Sequence, residues 1–268
     1  MTSLPAARTY GSAPFRVAVL HGGPGALGYL APVAARLAQG RGVVEPLQRA
    51  SSVTGQLEEL GRRLDEHTTG PVDLVGHSWG AVEAYLFAAA HPDRVRQVVM
   101  VAAAPFEARY ADSLWDTRVT RLGPANREAA QRAQATLADQ QADPAARIAA
   151  VAEFDRVTTI ADGYDLETAD VGIVEDLPDV YDAVWQEAAA RRRRGELVRL
   201  GRRITCPVLA IHGDHDPHPA AGVETPLSPV VRDFTFVVLE RCGHIPWLER
   251  HARASFFELV DRALARPG

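Results

Sequence analysis

Val72-Asp73-Leu74-Val75-Gly76-His77-Ser78-Trp79-Gly80 is the stretch on which the fold turns. Its first four residues read as a short strand buried on both faces of a sheet, Val72–Val75. The residues after it, Ala81 to Ala90, read as an apolar helix. Between them glycines at 76 and 80 flank a serine. A strand that enters a helix through Gly-x-Ser-x-Gly must turn so sharply that only small residues fit beside the turn. The Ser78 hydroxyl is thereby pushed out above the strand end. There it faces the free N–H groups of the helix start, which favour developing negative charge.

Outward from this turn, short β-branched runs alternate with longer helical patterns, the signature of a parallel sheet covered by helices on both faces. The strands expected are Val17–Leu20, Val43–Leu47, Val72–Val75, Val95–Val101, Val208–Ile211 and Thr235–Leu239. The second is interrupted by Glu45 and Pro46 and is expected nearer an edge. Helical spacing marks Tyr29 to Ala38, Ser52 to His67, Ala81 to Ala90 and Ala254 to Ala265. The fold class is therefore α/β, a mostly parallel sheet of about six strands flanked by helices. From Phe106 to Arg203 the rhythm stops. That block shows no convincing strand and several helical patterns, and is expected to be a helical cap, 106–203, inserted into a core made of 1–105 and 204–268.

In a parallel sheet every loop that follows a strand lies along the same edge. Three further loops therefore join Ser78 there. His21-Gly22-Gly23-Pro24-Gly25 follows the first strand, Gly213-Asp214-His215-Asp216 the fifth, and Cys242-Gly243-His244 the sixth. A serine hydroxyl becomes a nucleophile only when a neighbouring base takes its proton, and His244 is the base expected near neutral pH. Asp216 is expected to orient it, with Asp214 as the alternative carboxylate. Acyl transfer also needs two backbone N–H donors for the oxyanion of its tetrahedral intermediate. Trp79, after the serine, and Gly23, in the glycine-rich loop, are the two expected. No phosphate-loop pattern is present. His21 is expected to support its loop by hydrogen bonding. His77, His215 and His218 also lie near this edge. His215 and His218 with Asp214 and Asp216 are spaced like a loop, so no metal and no cofactor are expected. Cys206 precedes its strand and Cys242 follows the neighbouring one, which places them too far apart for a disulfide.

Composition narrows the function. The chain has 268 residues, net charge −5 and a pI near 6.0, which argues against a nucleic-acid binder. The one basic run, Arg191 to Arg194, reads as a solvated helix face. No apolar run has the length of a membrane span and the N-terminus lacks the apolar segment of a secretory signal, so a cytoplasmic protein is expected.

The HGGPG loop (His21 to Gly25), the GHSWG turn (Gly76 to Gly80) and the order Ser78, Asp216, His244 resemble the α/β-hydrolase superfamily over essentially the whole chain. The HGGPG loop with Trp79 is most similar to its proline iminopeptidase branch, serine exopeptidases with a helical cap. The resemblance implies that Ser78, Asp216 and His244 form a catalytic triad and that Gly23 and Trp79 shape the oxyanion hole. Members of that branch hold the substrate amine with cap carboxylates, and Glu153, Asp155, Asp162, Asp165, Glu167 and Asp170 are the candidates here. The expected function is a serine hydrolase cleaving a small ester or amide, its partner a small-molecule or short-peptide substrate. The alternatives are an iminopeptidase-like aminopeptidase and a non-catalytic ligand-binding protein of the same fold. A serine at position 78 argues against dehalogenase and epoxide hydrolase chemistry, which place an aspartate there.

Overall fold

A computed structural model describes residues 4–139, 141–168 and 175–266. Its strands are β1 (Ala7–Tyr10), β2 (Phe15–Leu20), β3 (Ala26–Leu27), β4 (Gly42–Pro46), β5 (Thr68–His77), β6 (Val95–Val101), β7 (Glu175–Asp176), β8 (Val208–Gly213) and β9 (Phe234–Leu239). Seven of them form one sheet in the order β1-β4-β2-β5-β6-β8-β9, parallel except for β1. Strand β5, which leads into Ser78, is thus central. All six strands expected from the pattern are present. The seventh, β1, is a short mixed segment, Ala-Arg-Thr-Tyr, with no apolar alternation to reveal it.

Strand β1 also explains Glu45. In β4 this residue is fully buried, and its carboxylate accepts from Arg8 Nε at 2.9 Å and Tyr10 Oη at 2.7 Å. A charge inside a sheet survives only when paired, and β1 brings the pair. Strand β4 is accordingly next to the edge.

The helices are α1 (Ala31–Leu37), α2 (Val53–His67), α3 (Trp79–Ala90), α4 (Leu114–Arg121), α5 (Pro124–Ala138), α6 (Pro144–Asp162), α7 (Pro178–Arg193), α8 (Glu196–Leu200), α9 (Ala221–Leu227) and α10 (Arg253–Leu264). Alternation along the strands sorts the core into two layers. Ala18, Leu20, Leu74, Val98 and Met100 face α2, α3 and α7, whereas Val17, Val19, Val75, Val99 and Val101 face α1 and α10. Ser52 Oγ caps α2 by accepting from Gly55 N at 3.1 Å.

Between β6 and β8 the chain forms α4 to α8. The block is not wholly free of strand, because β7 pairs antiparallel with β3, directly after the glycine-rich loop. Two residues carry no periodicity, so this bridge had no sequence signal. Helices α4 to α6 share a small cluster of Leu122, Ala129, Ala130, Val157 and Ala161. Val180, Val184 and Ala188 of α7 and Leu197 of α8 instead join the layer beneath α3. Among the described residues no helix is long and apolar enough to cross a membrane.

Candidate active site

The turn between β5 and α3 has the tightness its sequence requires. Ser78 sits at φ 52° and ψ −112°, a region that costs a non-glycine residue about 1–3 kcal/mol. A Cβ on Gly76 would collide with the Gly80 carbonyl, and one on Gly80 with the Leu20 carbonyl. The two glycines therefore let α3 start directly against β2 and β5.

Ser78 lines a cavity of about 560 Å³ together with Gly22, Gly23, His218 and His244. Trp79 opens α3, so its backbone N–H belongs to the helix start that lacks intrahelical acceptors. Its indole is fully buried and donates to Gln56 Oε1 at 3.1 Å. Gly23 adopts φ 49°, and its carbonyl accepts from Ala26 N at 2.8 Å, closing a turn that lines the same cavity as Ser78. His21 is buried and donates from Nδ1 to the Gly22 carbonyl at 3.1 Å, bracing the loop as expected.

His244 Nδ1 donates to Asp216 Oδ2 at 2.8 Å. Since the carboxylate can only accept, the proton lies on Nδ1 and Nε2 carries the lone pair. Asp214 is committed elsewhere: its two oxygens accept the backbone N–H groups of Arg241 and Cys242 at 3.0 and 3.1 Å. Asp216 also accepts from His218 N at 2.9 Å and His218 Nδ1 at 3.0 Å, with His212 Nε2 at 3.5 Å. Burial alone would raise the Asp216 carboxyl. The charges of His244, His212 and His218 outweigh burial and hold it well below the usual carboxylate range. His244 experiences the reverse. Burial lowers it, but the Asp216 charge and hydrogen bond win, and its pKa lies above the ordinary imidazole value. The His218 ring stacks on His244 at 4.6 Å, and there burial wins and lowers the pKa.

Asp216, His218 and His244 bring one ligand-type atom each within 4.8 Å of one another. Both imidazoles spend the nitrogen nearest the carboxylate on donating to it. A metal at about 2.0–2.2 Å from such donors would have to displace both protons and draw the groups together. The donor set fits a hydrogen-bonded pair on a carboxylate better than a metal centre. His215 stands apart, its ring edge-on to Tyr164 at 5.4 Å. Cys206 and Cys242 are both buried free thiols; burial pushes Cys206 up to about 11 and Cys242 further.

Two residues that position the His244 loop carried no recognisable sequence signal in that role. His77 Nε2 donates to the His244 carbonyl at 2.8 Å, its ring stacked on Tyr29 at 5.2 Å and edge-on to Trp247 at 4.7 Å. Glu249, fully buried, accepts from Gly243 N, Tyr164 N and Asp165 N at 2.7, 2.7 and 2.8 Å. His244 N in turn donates to the Asp162 carbonyl at 2.8 Å. Gly243 permits this approach, since a Cβ there would strike the same Asp162 carbonyl.

Of the six acidic residues proposed to hold an amine, Asp155 and Asp162 line the cavity. Asp162 is bound by Arg118 Nε and Nη2 at 2.6 and 2.5 Å. Glu153 pairs with Arg156, Asp165 with Arg250 and His251, and Glu167 with Arg253. Asp170 lies outside the described residues.

Solved structures with the same chain path are numerous and diverse. VinJ superposes with a TM-score of 0.67 at 21% identity, covering 96% of this chain and 93% of that one. The enol-lactonase from Burkholderia xenovorans LB400 gives 0.61 at 19%, covering 97% and 96%. Proline iminopeptidase from Mycobacterium smegmatis gives 0.60 at 18%, covering 96% and 93%, so that branch is one likeness among several. At these identities the likeness is one of fold. No curated protein matches the chain by sequence. The model of the Alpha/beta hydrolase family, however, matches residues 12–255, from before β2 into α10 and through every loop that lines the cavity. The chain is a member of the α/β-hydrolase family.

Proposed function

We propose that the protein is a serine hydrolase that cleaves a small ester or amide through an acyl-enzyme, with Ser78 as nucleophile, His244 as base and Asp216 as its orienting carboxylate. The observation that carries this reading is the 2.8 Å bond from His244 Nδ1 to Asp216 Oδ2. It leaves Nε2 as a lone pair in a ring that lines the same cavity as Ser78. His244 takes the Ser78 proton as Oγ attacks the carbonyl carbon. The backbone N–H groups of Gly23 and Trp79 receive the oxyanion. His244 then gives its proton to the leaving oxygen or nitrogen, and a water activated by the same imidazole releases the acid. Asp216, held ionised, stabilises the imidazolium throughout.

In this reading 106–203 acts as a cap over a core of 1–105 and 204–268. Its support is that Arg118, Phe154 and Trp185, from three helices of that block, wall the cavity above Ser78. A volume of about 560 Å³ suits a small molecule. Glu153, Asp162, Asp165 and Glu167 are paired with cap or core cations, which favours the ester or amide reading over recognition of a free amine.

The test is labelling by a fluorophosphonate, with p-nitrophenyl butyrate hydrolysis alongside. Wild type should label and turn over. Ser78→Ala should lose labelling and at least about 10³-fold in kcat/KM. Turnover that survives Ser78→Ala would refute the mechanism.

A further inference from the structure

The run Arg191 to Arg194 is not the uniform solvated face that its composition led us to expect. Arg191 binds Glu187 at 2.7 Å and Glu196 at 3.1 Å, and Arg194 binds Glu196 at 3.2 Å. Arg193 is exposed. Arg192 turns the other way and lines the cavity that holds Ser78 and His244. Its Nε is buried without an acceptor, and its guanidinium lies over the Trp185 ring, 6.0 Å from the centroid. Trp185 in turn stands edge-on to Trp79 at 5.5 Å, beside the nucleophile turn. Its own indole N–H is also buried without an acceptor, so this end of the cavity wall is short of acceptors.

The remaining ionised groups of the cavity are provided for. Arg118 and Asp162 neutralise each other through two hydrogen bonds. Arg147 donates to the carbonyls of Leu137 and Asp139 at 3.2 and 3.1 Å. Asp155 has an interaction partner, and Asp182 is exposed to water. Among the described residues Arg192 is the cation of the cavity wall that meets no carboxylate and no carbonyl. Burial, with Arg193 beside it, pushes its pKa below the ordinary guanidinium value, the mark of a charge without compensation. A guanidinium keeps its charge at any ordinary pH. The Trp185 ring offsets part of its desolvation, an anion would offset the rest, and its planar fork fits a carboxylate.

We propose that Arg192 anchors a carboxylate of the substrate, so that the site takes anionic esters or amides whose acid group lies beyond Trp185, remote from the scissile carbonyl. This rests on the serine-hydrolase reading for the chemistry but not for the binding. Arg192 is a specificity residue, outside the reacting atoms.

The experiment uses p-nitrophenyl monoesters of linear dicarboxylic acids, from four to ten carbons, each beside its methyl-capped neutral counterpart. For wild type the acid should exceed the capped ester in kcat/KM by about 10- to 100-fold at the best chain length, through KM. Arg192→Gln should bring that ratio to about one. Arg192→Lys, which keeps the charge without the fork, should retain part of it. No preference at any length, or a ratio that survives Arg192→Gln, overturns the proposal. Calorimetric binding of the same pairs to Ser78→Ala reads the anchor without turnover: the acid should bind at least about tenfold tighter, and equal affinities overturn the anchor. Loss of turnover and labelling in wild type with that binding preference intact would refute the hydrolase reading and leave the anchor standing.

Discussion

Asp216 governs how His244 behaves. The aspartate is buried under three imidazoles, and the one that donates to Oδ2 has its pKa raised in spite of its own burial. A base works only when neutral, so activity must fall as pH drops through that raised value. The acidic limb of kcat/KM should therefore lie above the ordinary 6.5. In Asp216→Asn the charge is gone and burial is left to act, so the limb should move below 6.5 while kcat falls on the order of 10³–10⁴-fold. Asp214→Asn should cost far less, because its oxygens hold Arg241 N and Cys242 N rather than an imidazole. A pH–rate profile for the three proteins decides it. A wild-type limb at or below 6.5, or a larger loss in Asp214→Asn, would reverse the assignment. Spacing brought Ser78 and His244 to one edge of the sheet, because each follows a strand, and both line the same cavity. It favoured Asp216 but kept Asp214 as the alternative, since both follow β8 and side-chain direction is what distinguishes them. Nor did a histidine two residues beyond Asp216 announce that His218 would share its carboxylate.

At the level of elements, the segment that carries His244 is held by contacts from far along the chain. Glu249 gathers the N–H groups of Gly243, Tyr164 and Asp165, tying the His244 loop to the end of α6. Glu249→Gln keeps the shape but turns one acceptor into a donor facing an N–H. A buried donor left unsatisfied costs about 1–3 kcal/mol. The melting temperature should fall by about 2–12 °C, at roughly 2–4 °C per kcal/mol for a chain of this size. The kcat should fall with it as His244 loses its fixed position. Unchanged melting and unchanged kcat would mean that the loop is held by other contacts, such as His77 to the His244 carbonyl. Sequence periodicity could reveal β2, β5, β6 and β8 because an apolar run buried on two faces is its own signal. Elements whose pairing is purely long-range, such as β1 on β4 and β7 on β3, leave no such trace. The same holds for Glu249, an ordinary acidic residue until the fold folds it inward.

For the whole molecule, the block inserted between β6 and β8 is divided in its stability. Helix α7 contributes Val180, Val184 and Ala188 to the layer beneath α3, so it cannot open without exposing the main core. Helices α5 and α6 rest on a small cluster in which Ala129, Ala130 and Ala161 stand beside Leu122 and Val157, with Trp115 partly buried against them. Alanines bury little apolar area, and stabilisation follows area. Local opening should therefore start in α5 and the first half of α6, while the end of α6 stays tied through the Asp162 carbonyl to His244 N and through Arg118. Hydrogen exchange followed by mass spectrometry reads this directly. Peptides from α5 should exchange at least about 100-fold faster than peptides from α7, and α6 should show a gradient, fast near Pro144 and slow near Asp162. Phe154, stacked on Trp115 at 5.6 Å, lies at the middle of α6, where the part expected to open meets the part that stays tied, and it lines the cavity. Covalent labelling of Ser78 by a long-chain fluorophosphonate should then slow exchange in α5 and α6 more than in α7, since the chain fills the space beneath them. Equal rates in α5 and α7 before labelling would make the insert and sheet one cooperative unit, and substrate would have to enter through a mouth already open rather than beneath a roof that lifts.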